Sequence, residues 1–104
     1  MALLTVIYRT PEDAAAFDKH YFETHIPLAK RIPGLRRYEV SRGPIASVAG
    51  GGDFHLVANL YFDDMAAIQS AFASPEGQAA GADRLVFAPE DADVIMLLFD
   101  TEEV

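Results

Sequence analysis

Phe54-His55-Leu56-Val57-Ala58-Asn59-Leu60-Tyr61-Phe62 alternates from end to end. Phe54, Leu56, Ala58, Leu60 and Phe62 form one apolar face, and His55, Val57, Asn59 and Tyr61 form a mixed but uncharged one. A period of two in a run rich in aromatic and aliphatic residues is the signature of a strand with at least one buried face. The alternation predicts a strand over 53–63, and the rest of the chain is read outward from it.

Upstream, Leu35 to Arg42 predicts a strand near 35–43 with Tyr38 and Val40 on one face. Gly43 to Gly52, with glycine at 50, 51 and 52, is the loop that joins the two. Downstream, Asp63-Asp64 caps a helix over 64–73 whose buried side carries Met65, Ile68 and Phe72. Ser74-Pro75-Glu76 restarts a shorter helix that runs to about Asp83, and Phe87 to Asp93 reads as loop. Val94 to Phe99 is apolar at every position and predicts the last strand, near 93–100.

At the other end, Leu3 to Arg9 predicts a first strand over 2–9. Thr10-Pro11-Glu12-Asp13 reads as a helix start, with Thr10 as N-cap and Pro11 in the first turn. The helix, expected over 11–31, aligns Ala14, Phe17, Tyr21, Thr24, His25, Leu28 and Ile32 along one side. Pro27 lacks the N–H that the Glu23 carbonyl needs, which predicts a kink between His25 and Pro27. Pro33-Gly34 ends the helix.

The order β-α-β-β-α-β is the ferredoxin-like α+β pattern, a four-stranded antiparallel sheet with both helices on one face. A sheet with one solvated face should alternate. The first and last strands do not: Leu3 and Ile7 lie opposite Leu4 and Val6, and the last strand is apolar on both sides. The expectation is a homodimer packed sheet against sheet. Val57, Asn59 and Tyr61 would face the partner, with Phe54, Leu56, Leu60 and Phe62 under the helices.

Two further runs carry a family resemblance. Phe17-Asp18-Lys19-His20-Tyr21-Phe22-Glu23-Thr24-His25-Ile26-Pro27-Leu28 leads into Pro33-Gly34-Leu35-Arg36-Arg37-Tyr38. With Val40-Ser41-Arg42-Gly43, His55-Leu56-Val57-Ala58 and Ala73-Ser74-Pro75-Glu76-Gly77-Gln78, the pattern resembles the EthD family of small dimeric α+β barrel proteins. The resemblance spans most of the chain and implies a dimer. It also brings the label of reductase.

Composition excludes several classes. The chain has 104 residues, a net charge of −8 and no cysteine. Such a length predicts one domain, residues 1–104, with a modest core. The negative charge argues against nucleic acid and anionic membranes, since phosphate binding needs clustered Lys and Arg. Without cysteine there are no disulfides, thiolate metal sites or thiol nucleophiles. The N-terminus lacks the marks of a signal peptide and no run is long enough to span a membrane, so the expected location is the cytoplasm.

His25 is the candidate catalytic residue. It lies at the edge of the helix's apolar side, one turn from Tyr21 and beside the Pro27 disturbance, and imidazole titrates near neutral pH. A structural role, in which His25 bonds a carbonyl freed by Pro27, would use the same residues. Tyr21 and Tyr38 are candidate substrate-binding residues whose hydroxyls can orient a ligand oxygen; aromatic core packing is the competing reading. His20 reads as a solvated surface histidine.

No metal is expected: His20 and His25 project apart on a helix, and there is no i, i+4 histidine pair. There is no G-x-G-x-x-G or P-loop, so no cofactor is expected and nothing in the motifs supports the reductase label. Three functions stand. One is cofactor-independent proton-transfer or oxidoreductase chemistry on a small hydrophobic, aromatic or carbonyl-bearing compound. The second is a non-catalytic binding or accessory protein of a catabolic redox pathway, and the third a purely structural dimer with no ligand.

Overall fold

The computed structural model describes residues 1–104. Its elements are β1 (Ala2–Arg9), α1 (Ala14–His20), a π turn (Tyr21–His25), α2 (Ile26–Ala29), β2 (Arg37–Val40), β3 (Phe54–Phe62), α3 (Met65–Ala73), α4 (Pro75–Phe87), a 3-10 turn (Asp91–Asp93) and β4 (Val94–Asp100). The strands form one antiparallel sheet in the order β2-β3-β1-β4. This is the ferredoxin-like arrangement expected from the element order.

The core lies between one sheet face and the helices. Leu4, Val6 and Tyr8 of β1 and Leu56, Ala58, Leu60 and Phe62 of β3 meet Phe17, Tyr21, Ala29, Ile32, Ile68, Ala71 and Ala80. Phe62 is fully buried, which is worth roughly 1.5–3 kcal/mol relative to an exposed ring. Tyr38 and Val40 of β2 pack against the same cluster from the sheet's edge.

Four local expectations change. Helix α1 starts at Ala14, capped by Asp13, whose carboxylate accepts from the Ala16 amide at 3.0 Å. Thr10 stays with the strand instead, its amide donating to the Asp53 carbonyl at 3.0 Å, ahead of the first helical residue. Pro27 produces a π turn rather than a kink. The Ile26 amide reaches back five residues to the Tyr21 carbonyl, so the register slips ahead of the proline. Strand β2 is regular only over Arg37–Val40, although Arg36 and Ser41 still donate to the Tyr61 and Val57 carbonyls of β3.

Helix α4 does not stop near Asp83 but runs 13 residues to Phe87. Arg84 ties down its end: the Ala88 amide donates to the Arg84 carbonyl, and the Arg84 guanidinium donates to the Ala88 carbonyl at 3.0 Å. The Phe87 ring then packs on Tyr8, Phe17, His20, Tyr21 and His25. Tertiary packing thus extends a helix that local propensity does not favour.

One side-chain placement also differs. The register between β1 and β3 shifts at Tyr8/Arg9, so Arg9 pairs with Phe54 and skips His55. A bulge of this kind turns the local side chains about the strand axis. Phe54 therefore does not join the helix-covered core but lies under the Arg9 guanidinium, 5.4 Å from it. His55 instead meets α1, donating from Nε2 to Asp18 Oδ1 at 2.7 Å with its ring edge-on to Phe17.

Candidate functional site

The first helix presents Phe17, Tyr21 and His25 to the sheet, and the π turn between the last two holds both rings inward, 5.2 Å apart. Tyr38 reaches the same place from β2: its hydroxyl and that of Tyr21 share a hydrogen bond of 2.6 Å. The structure thus brings together all three residues selected from the sequence. They line a cavity of about 50 Å3 with Tyr8, Arg84 and Met96 among its other walls.

His25 is buried, but not against a backbone carbonyl. Its Nδ1 is 2.9 Å from Oδ2 of Asp83 on α4. Burial lowers the basicity of the imidazole, and the Asp83 hydrogen bond and charge oppose that only in part. The net effect is a histidine held below its ordinary range. For Asp83, burial acts to raise the carboxyl, but hydrogen bonds from His20 and His25 outweigh it and hold the group below the ordinary range.

An ionised carboxylate can only accept, so the proton on that hydrogen bond belongs to His25 Nδ1. The lone pair of the neutral imidazole is then on Nε2. That nitrogen has no hydrogen-bond partner in the chain, yet no buried polar side-chain atom is sealed without one. It therefore opens onto accessible space. The Tyr8 hydroxyl is in the same condition although the residue is only 2 % exposed.

The three phenols are held in their protonated form. Burial is the largest cause at each: it raises Tyr8 and Tyr21, with the Tyr38 phenol adding to both, and it raises Tyr38 against the opposing Tyr21 hydrogen bond. One hydroxyl of the Tyr21–Tyr38 pair donates to the other, and the acceptor keeps its own O–H free. The cavity therefore combines one basic nitrogen with phenolic donors in an apolar setting.

His20 is not a solvated surface residue. Its Nε2 is 2.9 Å from Asp83 Oδ1 and its ring is 5.4 Å from that of Phe87. Asp83 and Tyr8 escaped the sequence reading. Asp83 lies 58 residues beyond His25, and nothing in the sequence around it marks the contact. Tyr8 looked like any inward strand residue. No group of three or more His, Cys, Asp or Glu side chains is arranged to hold a metal ion, and no helix is long and apolar enough to cross a membrane.

Sheet order and helix placement define a ferredoxin-like α+β protein of the type found in dimeric α+β barrels. A dimeric ferredoxin-like protein of unknown function from Thermobifida fusca superposes with a TM-score of 0.68 at 19% identity, over 96% of this chain and 90% of that one. The EthD domain matches residues 9–91. The chain belongs to the EthD family. An ethyl tert-butyl ether D (EthD) family protein from Bacillus halodurans is 38% identical with a TM-score of 0.87, over 98% of this chain and 99% of its own. An uncharacterised 11.0 kDa protein of the thcB–thcC intergenic region of Rhodococcus erythropolis is 42% identical, over 100% of this chain and 98% of its own.

Proposed function

We propose that this EthD protein is a homodimer whose cavity receives the polar head of a small hydrophobic, aromatic or carbonyl-bearing compound, with His25 as the group that moves a proton. The observation that carries the reading is the Asp83 carboxylate on His25 Nδ1, 2.9 Å away. It fixes the tautomer with the Nε2 lone pair free and stabilises the imidazolium formed when that lone pair takes a proton.

The matching chemistry is proton abstraction next to a carbonyl, or from a phenol. The proton goes to His25 Nε2. The electron pair moves onto the ligand oxygen, where Tyr21 and Tyr38, and the unpartnered hydroxyl of Tyr8, can donate. Neither step needs an electron acceptor. An oxidoreductase role would require an oxidant or reductant as co-substrate.

The cavity holds only a reacting head, since its 50 Å3 falls well below the roughly 300–1,000 Å3 of small-molecule pockets. The same small volume favours the second reading, a binding or accessory protein without turnover.

Support for the dimer comes from the second sheet face, where Leu97 and Phe99 remain 48% and 40% exposed, and from structural neighbours that are dimeric.

Thermal shift with acetophenone and with phenol, on wild type and His25→Gln, separates the two readings. Proton-transfer chemistry predicts stabilisation of wild type by mass action and its weakening in the variant. Equal stabilisation of both proteins favours the accessory role, and no stabilisation of either by any small aryl ketone or phenol contradicts both.

A further inference from the structure

Asp83 does not serve His25 alone. Its Oδ2 accepts from His25 Nδ1 and its Oδ1 from His20 Nε2, each at 2.9 Å. The two imidazoles face different spaces. His25 lines the inner cavity, and its side chain is 10% exposed. His20 is 29% exposed and lines an outer groove of about 690 Å3 between the β1–α1 and α4–β4 connections.

We propose that His20 is a positioning residue for the His25 site: it clamps the outer oxygen of Asp83 so that the inner one stays on His25 Nδ1–H, and a proton taken up by His20 from the groove disables His25 as a proton acceptor. The inference rests on the reading of His25 as the base of the cavity.

Two physical arguments carry it. A carboxylate bonded through one oxygen still rotates about its side-chain torsions, and a second donor on the other oxygen fixes its plane. A single negative charge also supports only one imidazolium well. Once His20 is charged, Asp83 is already neutralised, and a second positive charge at His25 meets repulsion across the shared carboxylate.

The charged and titratable surroundings fit this division. Around His25 stand Tyr8 from β1, Tyr38 from β2, Asp83 and Arg84 from α4, and Tyr21 and His20 from its own helix. None but Asp83 carries a negative charge at neutral pH. Around His20 the groove carries Glu12, Asp13, Glu90 and Asp93 against Arg9.

The test is imidazole 15N–1H NMR on the full chain across a pH titration, for wild type, His20→Gln and His20→Ala. The glutamine keeps an N–H for Asp83 but cannot take a charge. Expected results are His25 as the Nδ1–H tautomer in wild type and in His20→Gln, with its titration midpoint raised by about 0.5 pH in the glutamine variant. In His20→Ala the clamp is lost as well, and the His25 Nδ1–H proton exchanges several-fold faster with water. Coincident midpoints and exchange rates in all three proteins overturn the proposal. Its fate is separable from that of the base reading: if acetophenone stabilises wild type and His25→Gln equally while His20→Gln still moves the His25 midpoint, the positioning role stands and the catalytic one falls.

Discussion

At the scale of residues, the pairing of His25 with Asp83 makes a claim about pH. His25 is held below its ordinary value of 6.5, so the unfolded chain binds a proton at this site more readily than the folded one. Between the folded value and 6.5, stability therefore rises with pH, and the contribution of the neutral imidazole is lost as pH falls through that window. Asp83, held below 3.8, acts in the same direction at more acid pH: its contribution is present above the unfolded value and lost as pH falls through the folded one. His25→Gln should accordingly flatten the fall in melting temperature between pH 7.5 and pH 5 and leave the more acid fall in place. An unchanged profile would mean that His25 is not held neutral by its surroundings.

Tyr21 and His25 were legible in the sequence because helical spacing and an apolar flank marked them as inward-facing, and Tyr38 because it shares a strand face with Val40. Asp83 was not. Its importance comes from a contact made by tertiary folding, and the helix that carries it outlasts its own local signals because Phe87 anchors the far end. His20 was misread for the same reason: its partner is on α4, not on its own helix.

At the scale of elements, the joint between α3 and α4 is set by Gly77. A Cβ there would meet the Ala71 carbonyl oxygen and would lie 2.7 Å from Phe72 Cα, both backbone atoms that cannot turn aside. Gly77→Ala should therefore destabilise by about 1–3 kcal/mol, outweighing the gain of up to about 1 kcal/mol that alanine brings to a helix. Urea unfolding measures this, and a more stable variant would show that the helices part without cost. Because α4 carries Asp83, the substitution should also disturb the His25 tautomer.

Period-two alternation placed β3 and its core face, and cap residues placed α3 and the start of α4, where Asp64 and Ser74 accept from the Ala67 and Gly77 amides. The bulge opposite Arg9 was invisible because it belongs to the pairing of two strands, not to either alone. It moves Phe54 out of the core and turns His55 onto Asp18. The π turn was half legible: Pro27 announced a disturbance, but its form depends on where the helix absorbs the missing hydrogen bond.

At the scale of the whole molecule, β4 is the outlier. Met96, Leu97, Leu98 and Phe99 are 40–52% exposed, an apolar run on an edge strand that single chains normally protect. The homodimer proposed above would cover Leu97 and Phe99, which pair with Thr5 and Leu3 on the open sheet face. Sedimentation should show a dimer in wild type, with Leu97→Glu or Val57→Lys giving monomer or failing to fold. A wild-type monomer at all concentrations would contradict this reading of the sheet.

The central claim is that a neutral His25, oriented by Asp83, takes a proton from a small carbonyl compound. The decisive measurement follows exchange of the α-protons of small enolisable aryl ketones, acetophenone first, in D2O with the protein. Protein-dependent exchange is expected, falling by ~10²–10⁴-fold in His25→Gln while circular dichroism shows the fold intact. Exchange no faster than in buffer across the ketones, or equal in wild type and His25→Gln, would contradict it.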